Sequence, residues 1–225
     1  MKTHTFHRGA LAAILIASVA VSHAGVTLVG GSGTAIGAPG DMKYFADAYG
    51  VNTINYWTER ENHSLANDLV VSILPPNSFP TNSTSHFNNN DNVVAAGTAI
   101  DSYYFYFDPV DGSAVGRFRF DRKILGVITN ERTDASNDHF ILSDYLINPL
   151  VPNANKAPGH FNARGLEIGS NEFIRWHNDR EITLNLNAAS PGDQIRVVTE
   201  AVPEPASIAA LGLGLAALLR RRAKR

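Results

Sequence analysis

Apolar and polar residues alternate along much of this chain, and apolar spacing of the helical kind is scarce. Arg117-Phe118-Arg119-Phe120 alternates perfectly, and residues 181–187 place Ile182, Leu184 and Leu186 on one side. Residues 98–107 are rich in aromatics, with Tyr103, Phe105 and Phe107 on one face of an extended chain and Tyr104 and Tyr106 on the other. Shorter β-type runs occupy residues 25–30, 51–58, 68–74, 124–129 and 194–199. Period-two patterning of this kind fits strands whose successive side chains point to opposite faces. Turn chemistry separates the runs, in Pro75-Pro76, Asp108-Pro109-Val110-Asp111-Gly112 and Ser190-Pro191-Gly192-Asp193. Helical candidates are confined to residues 41–49 and 138–147. The pattern predicts a mainly β domain over residues 25–201, an antiparallel β-sandwich of jelly-roll type.

Two stretches inside that domain read as loops. Gly30-Gly31-Ser32-Gly33 is glycine-rich but lacks the Lys and the helix that would make it a phosphate cradle, so it reads as a flexible loop. Residues 77–92 contain eleven Asn, Ser or Thr residues, too little apolar surface to order themselves. An exposed loop is the simpler reading, and a rim whose amides and hydroxyls meet sugar hydroxyls is the functional one.

The two ends follow a different pattern. Residues 1–8 are basic, residues 9–21 are apolar but for Ser18, and Ser22-His23-Ala24 puts small residues three and one positions before Gly25. This is the three-part form of a secretory signal peptide over residues 1–24, cut between Ala24 and Gly25. At the other end Val202-Pro203-Glu204-Pro205 precedes fourteen residues, 206–219, with one hydroxyl and no charge. As a single short transmembrane helix they would span about 21 Å, less than a hydrocarbon core about 30 Å thick, which suits a temporary anchor. Arg220, Arg221, Arg222, Lys224 and Arg225 follow at once and would hold that end in the cytoplasm. Pro203 and Pro205 keep the motif out of a helix and leave an extended strip with Glu204 as its charged handle.

Motif, short apolar helix and basic tail, in that order over residues 202–225, resemble the PEP-CTERM sorting signal of Gram-negative bacteria. The resemblance implies that exosortase, a membrane transpeptidase, recognises this tail and cuts near Pro-Glu-Pro after Sec export. It also implies release to, or fixation at, the cell surface, in bacteria that make exopolysaccharide and biofilm. Residues 51–200 have a broader resemblance to PEP-CTERM ectodomains. It is carried by Tyr56-Trp57-Thr58-Glu59, Phe107-Asp108-Pro109, Leu125-Gly126-Val127-Ile128-Thr129, Arg164-Gly165-Leu166-Glu167 and the stretch from Pro191 to Thr199. That second resemblance implies no activity.

Charge sharpens the division between ends and middle. The whole chain of 225 residues is nearly neutral, at −2. Yet residues 25–202 hold twelve of its nineteen bases and twenty of its twenty-one acids, a formal charge of −8. Such a body is repelled by phosphate backbones, so nucleic acid is not an expected partner. With no cysteine, disulfides, thiolate nucleophiles and Cys-type zinc sites are excluded.

Chemistry in the middle is sparse. The histidines His63, His86, His139, His160 and His177 include no zinc-helix spacing, and neither His-Glu-x-x-His nor Gly-x-Ser-x-Gly occurs. Asp138-His139 with Asp144 could form an acid–base or metal cluster, although a solvated His between polar neighbours is the simpler reading. Asp108 and Asp111 flank a turn and are weak Ca²⁺ candidates, since the turn needs Asp and Gly for backbone reasons alone. No cofactor is expected. Trp57, Tyr104 and Tyr106 could stack on sugar rings or fill the core. Glu59 and Glu61 lie two apart, on one face if the segment is a regular strand.

The leading expectation is therefore a non-enzymatic surface or matrix protein, exported across the inner membrane, transiently anchored, and presenting its domain to extracellular polysaccharide. A secreted polysaccharide hydrolase is the alternative. It requires at least two carboxylates among Glu59, Glu61, Asp108, Glu167 and Asp179 to converge in one cleft. Ice binding is more distant, because no Thr-x-Thr ladder is present.

Overall fold

The aromatic run becomes strand β6 (Ala99–Phe107), and burial covers both of its faces. Tyr103, Phe105 and Phe107 enter one apolar cluster, whereas Tyr104 and Tyr106 enter another. A computed structural model describes residues 25–37, 53–73, 91–107, 109, 111–129, 143–147, 166, 172–189 and 193–201. The other described strands are β1 (Val26–Gly31), β2 (Gly33–Ala35), β3 (Ile54–Ser64), β4 (Leu69–Ser72), β5 (Asp91–Val94), β7 (Asp111–Phe120), β8 (Ile124–Ile128), β9 (Phe173–Asn178), β10 (Glu181–Ala189) and β11 (Asp193–Glu200). They form a four-stranded sheet, β1-β7-β10-β9, and a seven-stranded sheet, β2-β3-β6-β11-β8-β4-β5. The short β2–β3 pair is parallel, and the other described pairs are antiparallel.

The mainly β expectation is met in both sheets. Together they hold eleven described strands, more than the eight of a jelly roll. The larger cluster draws Phe118, Phe120, Trp176, Ile182, Leu184 and Leu186 from one sheet and Ile54, Tyr56, Phe105, Ile195 and Val197 from the other. Aromatic edges meet across the gap: the Phe105 and Phe118 centroids are 4.8 Å apart, those of Tyr56 and Phe118 5.2 Å, and those of Tyr103 and Phe120 5.3 Å. Such pairs add about 0.5–1.5 kcal/mol each beyond the area they bury. The seven-stranded sheet buries its far face as well. There Trp57, Leu69, Val71, Tyr104, Ile128 and Val198 are covered by Leu146 and Ile147.

The chain repeatedly changes sheet. It crosses between β6 and β7, between β7 and β8, and between β10 and β11. The first crossing is the tightest. β1 ends at Gly31, and after Ser32 alone the chain begins β2 in the other sheet. Ser32 N donates to Val115 O at 2.7 Å, and Gly31 has a φ of +81° with Val115 O only 2.1 Å from where a Cβ would stand. The glycine run expected to be a flexible loop is thus a packed corner.

Other expectations change for local reasons. Of residues 138–147, the described part is a single 3₁₀ turn, Asp144–Leu146, rather than a helix, and Arg60 binds the carbonyls at its end. β2, β5 and β9 are additions to the sequence pattern. The expected helix over residues 41–49, the signal peptide with Ala24, and the helix over residues 206–219 lie outside the described residues. So does most of the Asn-rich stretch, of which Asp91 and Asn92 open β5. Among the described residues, no helix is long and apolar enough to cross a membrane.

Candidate functional site

The strongest concentration of polar chemistry lies beneath that 3₁₀ turn, on the far face of the seven-stranded sheet. Arg196 interrupts an apolar strand, Ile195-Arg196-Val197-Val198, and its side chain is wholly buried. A cation there must be paired. Its Nε donates to Glu59 Oε2 at 2.6 Å and its Nη2 to Glu59 Oε1 at 2.9 Å, while Nη1 donates to Ser143 Oγ. Ser102 Oγ adds a 2.7 Å bond to Glu59 Oε2, and Asp144 Oδ1 lies 3.8 Å from Arg196 Nη2. Arg196 also sits over the Tyr104 ring at 5.2 Å, and that ring stacks on Trp57 with centroids 4.7 Å apart. Burial would lower the Arg196 pKa, but the Glu59 charge and hydrogen bond outweigh it and raise the pKa above the ordinary value.

A β-bulge in β3 explains why this patch is so crowded. Thr58 pairs with Tyr103, but Ser102 pairs with Arg60 rather than Glu59, so the extra residue puts Glu59 and Arg60 on the same face. Arg60 then reaches the turn: its Nε donates to Leu146 O at 2.9 Å, and its Nη2 to Tyr145 O at 3.0 Å and Ile147 O at 2.9 Å. Two arginines therefore fasten residues 143–147 over the sheet. Glu59 has both oxygens held by donors and no solvent exposure, which makes it a structural anion rather than a base or nucleophile.

The same bulge separates the two carboxylates that alternation would have paired. Glu61 acts on the Tyr103 side: after burial and Asp101, its charge is among those that push the Tyr103 hydroxyl pKa up. Asp179 is exposed in the turn between β9 and β10, in the other sheet. Glu59 and Glu61 therefore do not share one face. Asp108 and Glu167 lie outside the described residues, and Asp111 opens β7 opposite Ala189. Trp57, Tyr104 and Tyr106 are 4%, 0% and 0% exposed, so they fill the core and offer no platform for sugar rings. His63 and His177 both have lowered pKa values, first through burial and then through Arg60 for His63, and through Arg117 and Arg175 for His177. His177 Nε2 is 2.8 Å from Thr183 Oγ1. His86, His139, His160 and Asp138 lie outside the described residues. Among those described, no group of three or more His, Asp or Glu is arranged to hold a metal ion.

A second ionic group stands on the outer face of the four-stranded sheet. Glu181 is held from two sides, with Arg119 Nε and Nη2 at 3.0 and 2.9 Å from Oε2, and Arg117 Nε and Nη2 both on Oε1. Burial alone would raise the Glu181 carboxyl, but the two arginines outweigh it and hold its pKa below the ordinary value. Its contribution to stability is thus present above the unfolded value of about 4.3 and is lost as pH falls through the lower folded value. Glu181→Gln should flatten the loss of stability below about pH 5, measured as urea midpoints at each pH.

The functional signal nearest to a defined task is the C-terminal one, and it is matched directly. The chain carries a PEP-CTERM protein-sorting motif. The match covers residues 201–224, taking in Val202, Pro203, Glu204 and Pro205 and the basic residues Arg220, Arg221, Arg222 and Lys224, with Arg225 just beyond. A PEP-CTERM motif implies recognition by exosortase and targeting to the cell surface or extracellular space. Except for Ala201, the matched residues lie outside those the structure describes. Neither a curated protein nor a solved structure matches the chain. The polar centre that the sequence analysis missed is Arg196 with Ser102, Ser143 and Arg60. A lone Arg inside an apolar strand was the available signal.

Proposed function

We propose that this protein enters the Sec pathway on a signal peptide of residues 1–24 and is held transiently in the inner membrane by a short helix over residues 206–219. Exosortase then passes it to the cell surface or extracellular matrix. There its β-sandwich ectodomain, residues 25–201, associates with exopolysaccharide of a biofilm in a non-catalytic role. The PEP-CTERM match at residues 201–224 carries the proposal. A non-catalytic role is supported by the fate of the candidate carboxylates, since Glu59 is neutralised by Arg196 and Glu61 is turned away from it. Intact mass of the surface form is the test. It should lack everything beyond the Pro-Glu-Pro region, and a surface form retaining Arg225 would overturn sorting. Replacing Pro203, Glu204 and Pro205 together with alanine should leave the full C-terminal mass in the membrane fraction.

A further inference from the structure

On a body whose formal charge is −8, the outer face of the β1-β7-β10-β9 sheet has the opposite sign. Along β7, Ser113, Val115, Arg117 and Arg119 are exposed in strict alternation with the buried Ala114, Phe118 and Phe120. Across the sheet, Arg117 stands opposite Thr183, and Thr183 opposite Arg175. Glu181 binds two of these three arginines, and the other carboxylate on these strands, Asp111, stands at the far end of β7, six residues before Arg117. Two residues along a strand cover about 7 Å and two strand spacings about 10 Å, so the guanidinium groups share one small area. The field is felt locally, because Arg117 and Arg175 both act, after burial, to lower the His177 pKa.

We propose that this face docks an acidic polysaccharide, its carboxylates received by Arg117, Arg119 and Arg175 and its ring hydroxyls by Thr183 and Asn185. The inference rests on the proposed association with exopolysaccharide and names its polymer class and its place on the fold. Glu181 shows that the Arg117–Arg119 pair accepts a carboxylate: each guanidinium puts its Nε and Nη2 on one oxygen. That contact uses one edge of each planar fork, and the Nη1 groups project beyond it. The arginine side chains stay 48% and 61% exposed. Because Glu181 already holds them, a second carboxylate binds donors whose rotamers are largely ordered, which lowers the entropic cost of docking. Val115, 48% exposed, gives an apolar spot for the C–H face of a sugar ring. A polyuronate fits this patch better than a nucleic acid. DNA carries one charge per about 1.7 Å, and the surrounding acidic body repels so dense a polyanion over a longer range.

The test uses the full chain in detergent and compares it with Arg117→Gln/Arg119→Gln/Glu181→Gln. That triple variant removes the cationic pair without stranding a buried carboxylate. Both proteins carry the same basic tail, so the difference between them reads the sheet face. Affinity for polygalacturonate should fall about tenfold in the variant, equivalent to about 1.4 kcal/mol, and should decline with added salt. Arg175→Gln should weaken binding with the Glu181 trio intact, and matching thermal midpoints would confirm that both variants fold. Dextran and double-stranded DNA should show no comparable difference between wild type and triple variant. An equal drop with DNA would assign the face to phosphate and overturn the proposal. Polygalacturonate binding unchanged in folded variants would overturn the face while leaving polysaccharide association standing. Wild type binding neither polygalacturonate nor dextran would overturn both.

Discussion

Replacing Arg196 with methionine should lower the free energy of unfolding by about 3–5 kcal/mol, a large part of the roughly 5–15 kcal/mol that stabilises a typical domain. The loss comes less from the ion pair itself than from what remains. Glu59 would stay fully buried with Ser102 Oγ as its described donor, and a carboxylate without a counter-ion there must either pay for desolvation or take up a proton. Ser143 would lose the bond that ties the covering turn to the sheet. Glu59→Leu/Arg196→Met should recover most of the lost stability, because a hydrophobic pair of similar volume can replace a buried ion pair at little cost. The measurement is urea unfolding followed by fluorescence of Trp57 and Trp176. These are the chain's two tryptophans, one in each apolar cluster, so loss of the covering turn alone would shift the Trp57 signal before that of Trp176. A double variant as unstable as the single one would show that the polar network does more than neutralise a charge.

Gly31→Ala is expected to cost about 2–4 kcal/mol, combining left-handed backbone strain with a steric clash against backbone. Its φ of +81° disfavours any side chain, and a Cβ would meet Val115 O at 2.1 Å and the Gly116 Cα at 3.1 Å. No flexible side chain can move aside to relieve that contact. The corner is where β1, paired with β7 in one sheet, hands the chain to β2 in the other. The cost should therefore appear in global unfolding, as a lower urea midpoint with an unchanged slope. By comparison Gly97, whose φ is +84° with open space around it, should lose only the backbone part on the same substitution.

How much of this was legible beforehand depended on whether the information was local. The alternation in Arg117-Phe118-Arg119-Phe120 and in residues 181–187 needs only neighbouring residues, and both became strands with the expected faces inward. β9 was equally legible in Ile174 and Trp176, which alternate with Arg175 and His177, although its polar residues disguised it. Four-residue β5 and three-residue β2 carry no such pattern, and pairing with β4 and β3 makes them strands. The covering turn at residues 144–146 looked helical because its apolar residues suit a buried face. Arg60, 85 to 87 residues away in sequence, instead takes its carbonyls.

By itself the sequence determined where the protein is sent, because the PEP-CTERM motif is read as a linear segment. It also determined the β character and the acidic body, since both follow from which residues are present and in what order. The tertiary structure decided what the candidate residues are for. One extra residue in β3 brought Arg60 onto the face of Glu59 and took Glu61 off it, a layer over the far face of the seven-stranded sheet buried the aromatics that could have met sugars, and the pairing of β7, β10 and β9 brought three arginines together on an outer face. Those outcomes depend on register and on contacts between distant strands. A one-residue shift reverses the face of every later side chain without altering the local pattern.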